Sequence, residues 1–271
     1  MPGTVCLTFD LDAVSLWISS RRPSTPSAIS RGEYGPEVGL PRILKLLARH
    51  SIEATFFIPG MVAELYPDSV RMIQDHGHEL GTHGDTHDKL GGESRENERR
   101  ILERGIDRLV KVSGEMPVGF RAPAWDLSFS TIENLAALGI RYDSSQFASD
   151  FQPYRARTGD RVEDGEWIRG EIGSIWEFPV AWELDDVPYF LVQPPGYPGG
   201  ADPRVVGRIW QDELDYMVAY EPSGTFTLTM HPQVIGRGPR VLMLDRFIQH
   251  AKDQGCEFGT LRGRLDRLDG Q

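Results

Sequence analysis

Short apolar runs alternate with longer amphipathic stretches along most of the chain. Strand-like runs occupy residues 5–10, 54–58, 79–83, 118–121, 139–142, 175–180 and 225–231, with a weaker one at 256–260. The stretches between them repeat with helical spacing. Residues 41–50 bring Ile43, Leu44, Leu46 and Leu47 to one side, and residues 61–76 form a second pattern interrupted at Pro67. Residues 93–113 carry charge outside a stripe of Ile101, Leu102, Ile106, Leu109 and Val110. Ser130-Thr131-Ile132-Glu133 has the form of a capping box. Asp202-Pro203 reads as an N-cap followed by proline at the first helical position. Gly255 is placed to stop a helix over 239–254. Alternating strands and helices predict a parallel sheet, and seven or eight repeats favour a distorted TIM-like (β/α) barrel over an open sheet. With no internal repeat and no dividing linker, one domain over residues 1–271 is expected.

Three connections are long: residues 15–38, 143–174 and 181–202. Each follows a strand end, so all three are expected to rise over one face. Their aromatic content predicts ordered lids, while the charged stretch 161–166 reads as solvated surface. The first and third carry Trp17 and Trp182, and are expected to cap a cup-shaped pocket with those rings in its walls.

Composition narrows the partners. The chain has 271 residues, 39% apolar and 25% charged, ordinary for a soluble globular protein able to bury a core. A formal net charge of -11 argues against nucleic acid and against an anionic membrane surface. No apolar run approaches the ~20 residues of a membrane span. The opening MPGTVCLTFDLD lacks the basic and apolar regions of a secretory signal, which predicts a cytoplasmic location. Cys6 and Cys256 lack CxxC spacing and read as small buried residues rather than a disulfide.

Five separated stretches carry polar residues suited to hydrolysis: Thr8-Phe9-Asp10-Leu11-Asp12, His83-Gly84-Asp85-Thr86-His87, Arg121-Ala122-Pro123-Ala124-Trp125, Trp182-Glu183-Leu184-Asp185-Asp186 and His231-Pro232. Three of them end apolar runs, and in parallel α/β folds the carboxyl ends of strands face the ligand site. Asp10 and Asp12 are two apart on a strand and share a face. One carboxylate can hold a metal while the other takes a proton from water; two solvated acids on a surface turn are the alternative. His83 and His87, four apart, fall on one face if the strand runs into a helical turn, an arrangement Zn²⁺ accepts. Surface or capping histidines are the alternative there. Trp17, Trp125 and Trp182 suit stacking on a sugar or flat ring, or packing in loop core. Asp143, Asp150, Asp185 and Asp186 suit substrate binding or turn capping, with Asp186 and the three tryptophans taken as the substrate-binding set.

Taken together, these stretches resemble the ordered motifs of the polysaccharide deacetylase family (carbohydrate esterase family four). The resemblance runs from Val5 to about Thr260. It implies a barrel of the deacetylase type in which Asp12, His83 and His87 hold a divalent metal, commonly zinc. It further implies Asp10 as catalytic base, Arg121 as the partner that keeps it ionised, and His231 as general acid. Several positions depart from the common pattern. The two acids of the first motif are not adjacent, Gly84 replaces a hydroxyl residue, and Ala124-Trp125 replace an aromatic and glycine. These features, with Trp17, Asp143-Ser144-Ser145, Trp182 and Asp185-Asp186, resemble a branch that holds cytoplasmic peptidoglycan-deacetylase-like proteins and cyclic imide or ureide hydrolases. The implied activity is metal-dependent removal of acetyl groups from N-acetylated amino sugars. Opening of a small cyclic amide is the second reading, and a catalytically silent carbohydrate-binding relative the third. The branch also implies a homo-oligomer, with tetramers common in it.

Overall fold

β1, Thr4–Asp10, is buried along its whole length, as a central strand covered on both faces must be. Its alternate residues divide between two environments. Val5, Leu7 and Phe9 join the large core under the surrounding helices. Cys6 faces inward with Phe57 and Tyr142. The computed structural model describes residues 3–18, 25–192 and 199–270.

The remaining strands in chain order are β2 (Thr55–Ile58), β3 (Glu79–Thr82), β4 (Gly119–Phe120), β5 (Tyr142–Asp143), β6 (Tyr154–Thr158), β7 (Arg161–Glu163), β8 (Glu166–Ile168), β9 (Glu171–Glu177), β10 (Thr225–Met230) and β11 (Glu257–Phe258). The sheet runs β10-β1-β2-β3-β4-β5-β9-β6, with β11 beside the start of β1. From β10 to β9 every pairing is parallel; β6 joins β9 antiparallel. The expected barrel is therefore present but distorted. No ladder joins β10 to β9 or β6 among the described residues, and a single bridge between Asp185 and Thr229 reaches β10 from the chain beyond β9.

The barrel floor is closed by the last helix. Leu261 and Leu265 enter the inner cluster with Cys6, Phe57, Tyr142 and Phe178. The helix start is held by Leu261 N donating to Thr55 Oγ1 at 3.0 Å and Arg262 N donating to buried Glu79 Oε2 at 2.9 Å. A carboxylate at a helix N-terminus is favoured by the dipole. With the floor plugged, the open end lies at the strand carboxyl termini.

The long connections are more structured than expected. Residues 143–174 hold β6, β7 and β8 and the start of β9. The β7–β8 hairpin turns at Asp164-Gly165, both with positive φ, which is the Asp-Gly signature of a two-residue hairpin turn. Its strands are mostly exposed, in line with the solvated reading of 161–166. Residues 15–38 contain helices Ser15–Ile18 and Pro26–Tyr34, and residues 181–202 contain a turn at Trp182–Leu184 and a helix at Val187–Phe190. The parts of those two lids at 19–24 and 193–198 lie outside the described residues. Both free cysteines are buried.

Candidate active site

The carboxyl ends of β1, β3 and β10 meet at one cavity. Asp10 ends β1 and Asp12 follows it; both are buried. Ala13 then turns the chain with φ of 48°. Asp10 Oδ1 accepts from Arg121 Nη1 at 2.9 Å. Arg121 is fully buried, and its other donors reach Thr8 Oγ1 at 2.8 Å, Ser144 O at 3.0 Å and Ser144 Oγ at 2.8 Å. Burial by itself would raise the Asp10 carboxyl, but Arg121, His83 and His231 together hold it below the ordinary carboxylate value. Burial pushes Asp12 the other way, up to about 6.

His83 and His87 do come together, but not on a helix. β3 ends at Thr82 and the chain passes into an open turn with Gly84 at φ of 70° and His87 at φ of 63°. Left-handed backbone at these two positions brings the imidazoles within 5.1 Å of each other. The turn is fastened from both sides. Gly60 N donates to Gly84 O at 3.0 Å and Met61 N to Asp85 O at 2.9 Å. Buried Asp85 pairs with Arg104 and, at 2.8 Å, with Arg108 Nη1. Gly105 lets the long helix Arg95–Ser113 approach so closely that a Cβ there would stand 2.4 Å from Gly84 O. Sequence reading names Asp85 only as part of its polar stretch and gives neither it nor Gly105 this fastening role, because the contact joins segments about twenty residues apart through tertiary packing.

The donor set fits a divalent cation. Asp12 Oδ1 is buried with no hydrogen-bond partner, and lies 3.5 Å from His83 Nε2 and 3.6 Å from His87 Nε2. One ligand atom from each of the three lies within 4.8 Å of the others. His83 Nδ1 is 2.7 Å from Arg121 O, so it carries the proton and leaves Nε2 as the free lone pair. Burial lowers both imidazoles, His87 to about 4, so both are neutral at physiological pH, as ligation requires. An orphaned buried carboxylate oxygen facing two neutral nitrogens is a costly arrangement without a cation.

His231 stands on the other side of the acids. Its Nε2 is 3.8 Å from Asp10 Oδ2 and 3.7 Å from Asp12 Oδ2. Its Nδ1 meets Asp186 Oδ1 at 2.7 Å, and its backbone N donates to Asp186 Oδ2 at 3.0 Å. Burial opposes charge on this ring, but Asp186, Asp185 and Asp12 outweigh it and hold the imidazole well above its ordinary value. Asp186 thus serves His231 from behind and does not line the cavity, contrary to its expected place among the substrate residues.

The cavity has a volume of about 80 Å³ and is walled by Leu16, Ala124, Trp125, Trp182, Asp185, Val187 and Leu191 around the three histidines and two acids. Trp125 and Trp182 pack against each other at a tilt of 42°, with centroids 4.4 Å apart. Both capping connections contribute, but Trp17 does not: it is buried and lines a neighbouring pocket with Arg31, Phe190 and Arg240. Leu16 takes the expected place of Trp17. Asp185, not Asp186, faces the cavity, with its carboxyl pushed up to about 7 by burial. Asp150 lies exposed at a bend away from the site, and Asp143 is buried beyond Arg121. Of six non-glycine residues with left-handed φ among the described residues, His87, Ala124 and Trp125 line this cavity and Ala13 directly follows Asp12, a concentration of strain typical of functional sites.

Residues 21–142 match the polysaccharide deacetylase family. A peptidoglycan deacetylase of Helicobacter pylori is 34% identical over 95% of this chain and 93% of its own length. The chain belongs to the polysaccharide deacetylase family. As a member it is a hydrolase of non-peptide carbon–nitrogen bonds. The crystal structure of a Mycobacterium smegmatis protein carrying the same family name is 34% identical, covers 100% of this chain and 91% of that one, and superposes with a TM-score of 0.87. PuuE allantoinase, at 23% identity with coverage of 97% and 89% and a TM-score of 0.75, shares the fold. Among the described residues no helix is long and apolar enough to cross a membrane.

Proposed function

We propose that this deacetylase-family chain removes the acetyl group from an N-acetylated amino sugar, with Asp12, His83 and His87 as the ligands of a divalent cation. The observation that carries the reading is the facing arrangement of two differently tuned groups across that donor set. Arg121 holds Asp10 ionised on one side, and Asp186 holds His231 protonated on the other. A cation there supplies Lewis-acid charge at the reacting carbonyl. Asp10 takes the proton of the attacking water. His231 delivers its Nε2 proton to the amide nitrogen, which is a poor leaving group until protonated. The C–N bond breaks to give acetate and a free amine, and the proton taken by Asp10 returns to His231 through solvent. Trp125 and Trp182 exclude water from one side of the acyl group, and Asp185 offers its carboxyl to a hydroxyl or N–H of the substrate.

Two imidazoles and one carboxylate suit Zn²⁺. Metal analysis of protein purified without chelator is expected to give about one ion per chain. His87→Ala is expected to lose it, and a zero stoichiometry unchanged by added zinc or cobalt would remove the cation from the reading. A cytoplasmic homo-oligomer acting through one catalytic domain belongs to the same proposal; exposed Phe129, Trp167, Ile172 and Tyr220 supply apolar surface for association.

A second reading, opening of a flat cyclic imide or ureide, is favoured by the small size of the cavity and the paired tryptophan rings in its wall. Competitive turnover separates the two. N-acetylated mono- and disaccharides are expected to be deacetylated with kcat/KM that does not climb with further oligomer length, because the cavity takes an acetyl group and one ring. Turnover of cyclic imides alone would replace the proposal by the second reading, and a steady climb with chain length would show an open groove.

A further inference from the structure

Beyond Arg121, outside the cavity, two carboxyl groups meet that the reaction above does not use. Asp143 ends β5 and Glu177 ends β9, and the two are register partners across that parallel pair. Both are 0% exposed, with their side chains in hydrogen-bond contact. The oxygens of Glu177 already receive three donors: Ser145 N at 2.9 Å and Gln146 N at 3.1 Å on Oε1, and Gln146 Nε2 at 2.9 Å on Oε2. Asp143 Oδ1 accepts from Ser145 Oγ at 2.6 Å, but its Oδ2 is buried with no donor. Two ionised carboxylates in contact repel strongly in such a site. A buried acceptor left without a donor adds its own desolvation cost. One proton between Asp143 Oδ2 and Glu177 removes both costs.

The surroundings agree. Tyr154 lies opposite Glu177 on β6, and burial keeps its phenol protonated. Both arginines of that strand are engaged elsewhere, Arg155 with Asp269 and Arg157 with Asp160. Burial raises both acids, as one shared proton requires.

We propose that Asp143 and Glu177 share a single proton and form a positioning pair that acts on Arg121 through Ser144 and Ser145. Ser145 Oγ donates to Asp143 and accepts from Ala122 N at 2.8 Å, the residue after Arg121. Ser144 takes two hydrogen bonds from the Arg121 guanidinium. Arg121 in turn grips Asp10 with its side chain and His83 with its carbonyl. The pair therefore sets the residue that holds both the base and one cation ligand. The effect on turnover rests on the deacetylase reading; the shared proton and the hold on Ala122 do not.

Three variants test this. Asp143→Asn preserves the geometry without the shared proton, since its amide donates to Glu177 and its oxygen still accepts from Ser145. Asp143→Ala breaks the pair. Ser145→Ala leaves the acids together but cuts their link to Ala122. The infrared difference between wild type and Asp143→Asn at neutral pH is expected to show the C=O stretch of a protonated carboxyl. That band should persist in Ser145→Ala. Exchange of the Ala122 amide should stay near the wild-type rate in Asp143→Asn and rise about 10-fold or more in the other two. In the metal-loaded enzyme, kcat should stay within about 3-fold in Asp143→Asn and fall about 30-fold in Ser145→Ala with KM little changed, the scale of an outer-shell support. The proposal is overturned by a missing carboxyl band, by Asp143→Asn losing Ala122 protection, or by a Ser145→Ala enzyme that keeps both protection and kcat. If Asp143→Ala does not fold, Ser145→Ala carries the comparison. If wild type turns over no amide at all, the reaction proposed above fails, while the infrared and exchange results still decide the pair.

Discussion

Asp10→Asn is expected to abolish turnover, by about 10³-fold or more, while leaving the fold and the cation in place. The asparagine fills the same volume and still accepts from Arg121 Nη1, which reaches Asp10 Oδ1 at 2.9 Å. It cannot take a proton from water. Asp12, not Asp10, faces both His83 and His87 Nε2 through its orphaned oxygen, so the ligand set is untouched. Three measurements check this: kcat on an N-acetylated sugar, metal content, and thermal unfolding. Loss of the metal in Asp10→Asn, with retention in Asp12→Asn, would reverse the two roles.

Arg121→Met should be the more damaging change to the protein as a whole. It removes a fully buried cation that makes four hydrogen bonds and leaves Asp10 buried without its ion-pair partner. Breaking one side of a buried ion pair costs about 3–5 kcal/mol. Urea unfolding at neutral pH is expected to show a loss of that size, alongside a fall in kcat of about 10²-fold or more. The sign with pH follows from Asp10. Its carboxyl is held below its ordinary value in the folded chain. The stability it contributes is therefore present above the unfolded carboxylate value, near pH 4, and lost as pH falls through the lower folded value. The gap between wild type and Arg121→Met should narrow as acid protonates Asp10. A gap that stayed constant down to acid pH would mean that packing of the guanidinium stem, not charge, carries the difference.

Much of the site could be read in the chain because strand ends are local features. Alternation along β1 places Cys6, Thr8 and Asp10 on one side, and the apolar residues between them make the buried acid at the end conspicuous. Repeated strand and helix patterns point to parallel strands, and parallel strands deliver their carboxyl ends to one face. From those facts the acids, His83, His87, Arg121 and His231 belong together before any coordinate is known.

Other parts depend on contacts the chain does not announce. The imidazole pair has the spacing of a helix face but is made by left-handed backbone at Gly84 and His87, which Gly60, Arg104, Gly105 and Arg108 hold from other segments. Asp185 and Asp186 are neighbours of identical chemistry; only the bridge from Asp185 to Thr229 beside β10 decides which one backs His231 and which faces the cavity. Trp17 and Leu16 differ in the same way, since a short helix sends adjacent side chains to different sides and packing chooses between them. The polar stretch 143–174 hid β6, β7 and β8, because an edge hairpin buries too little to show an apolar pattern. The sequence by itself determined the strand-helix order and the residue types at the barrel mouth, since those follow from local periodicity. Which side chain points where, and which buried acid keeps its proton, were decided only when distant segments packed together and removed the water between them.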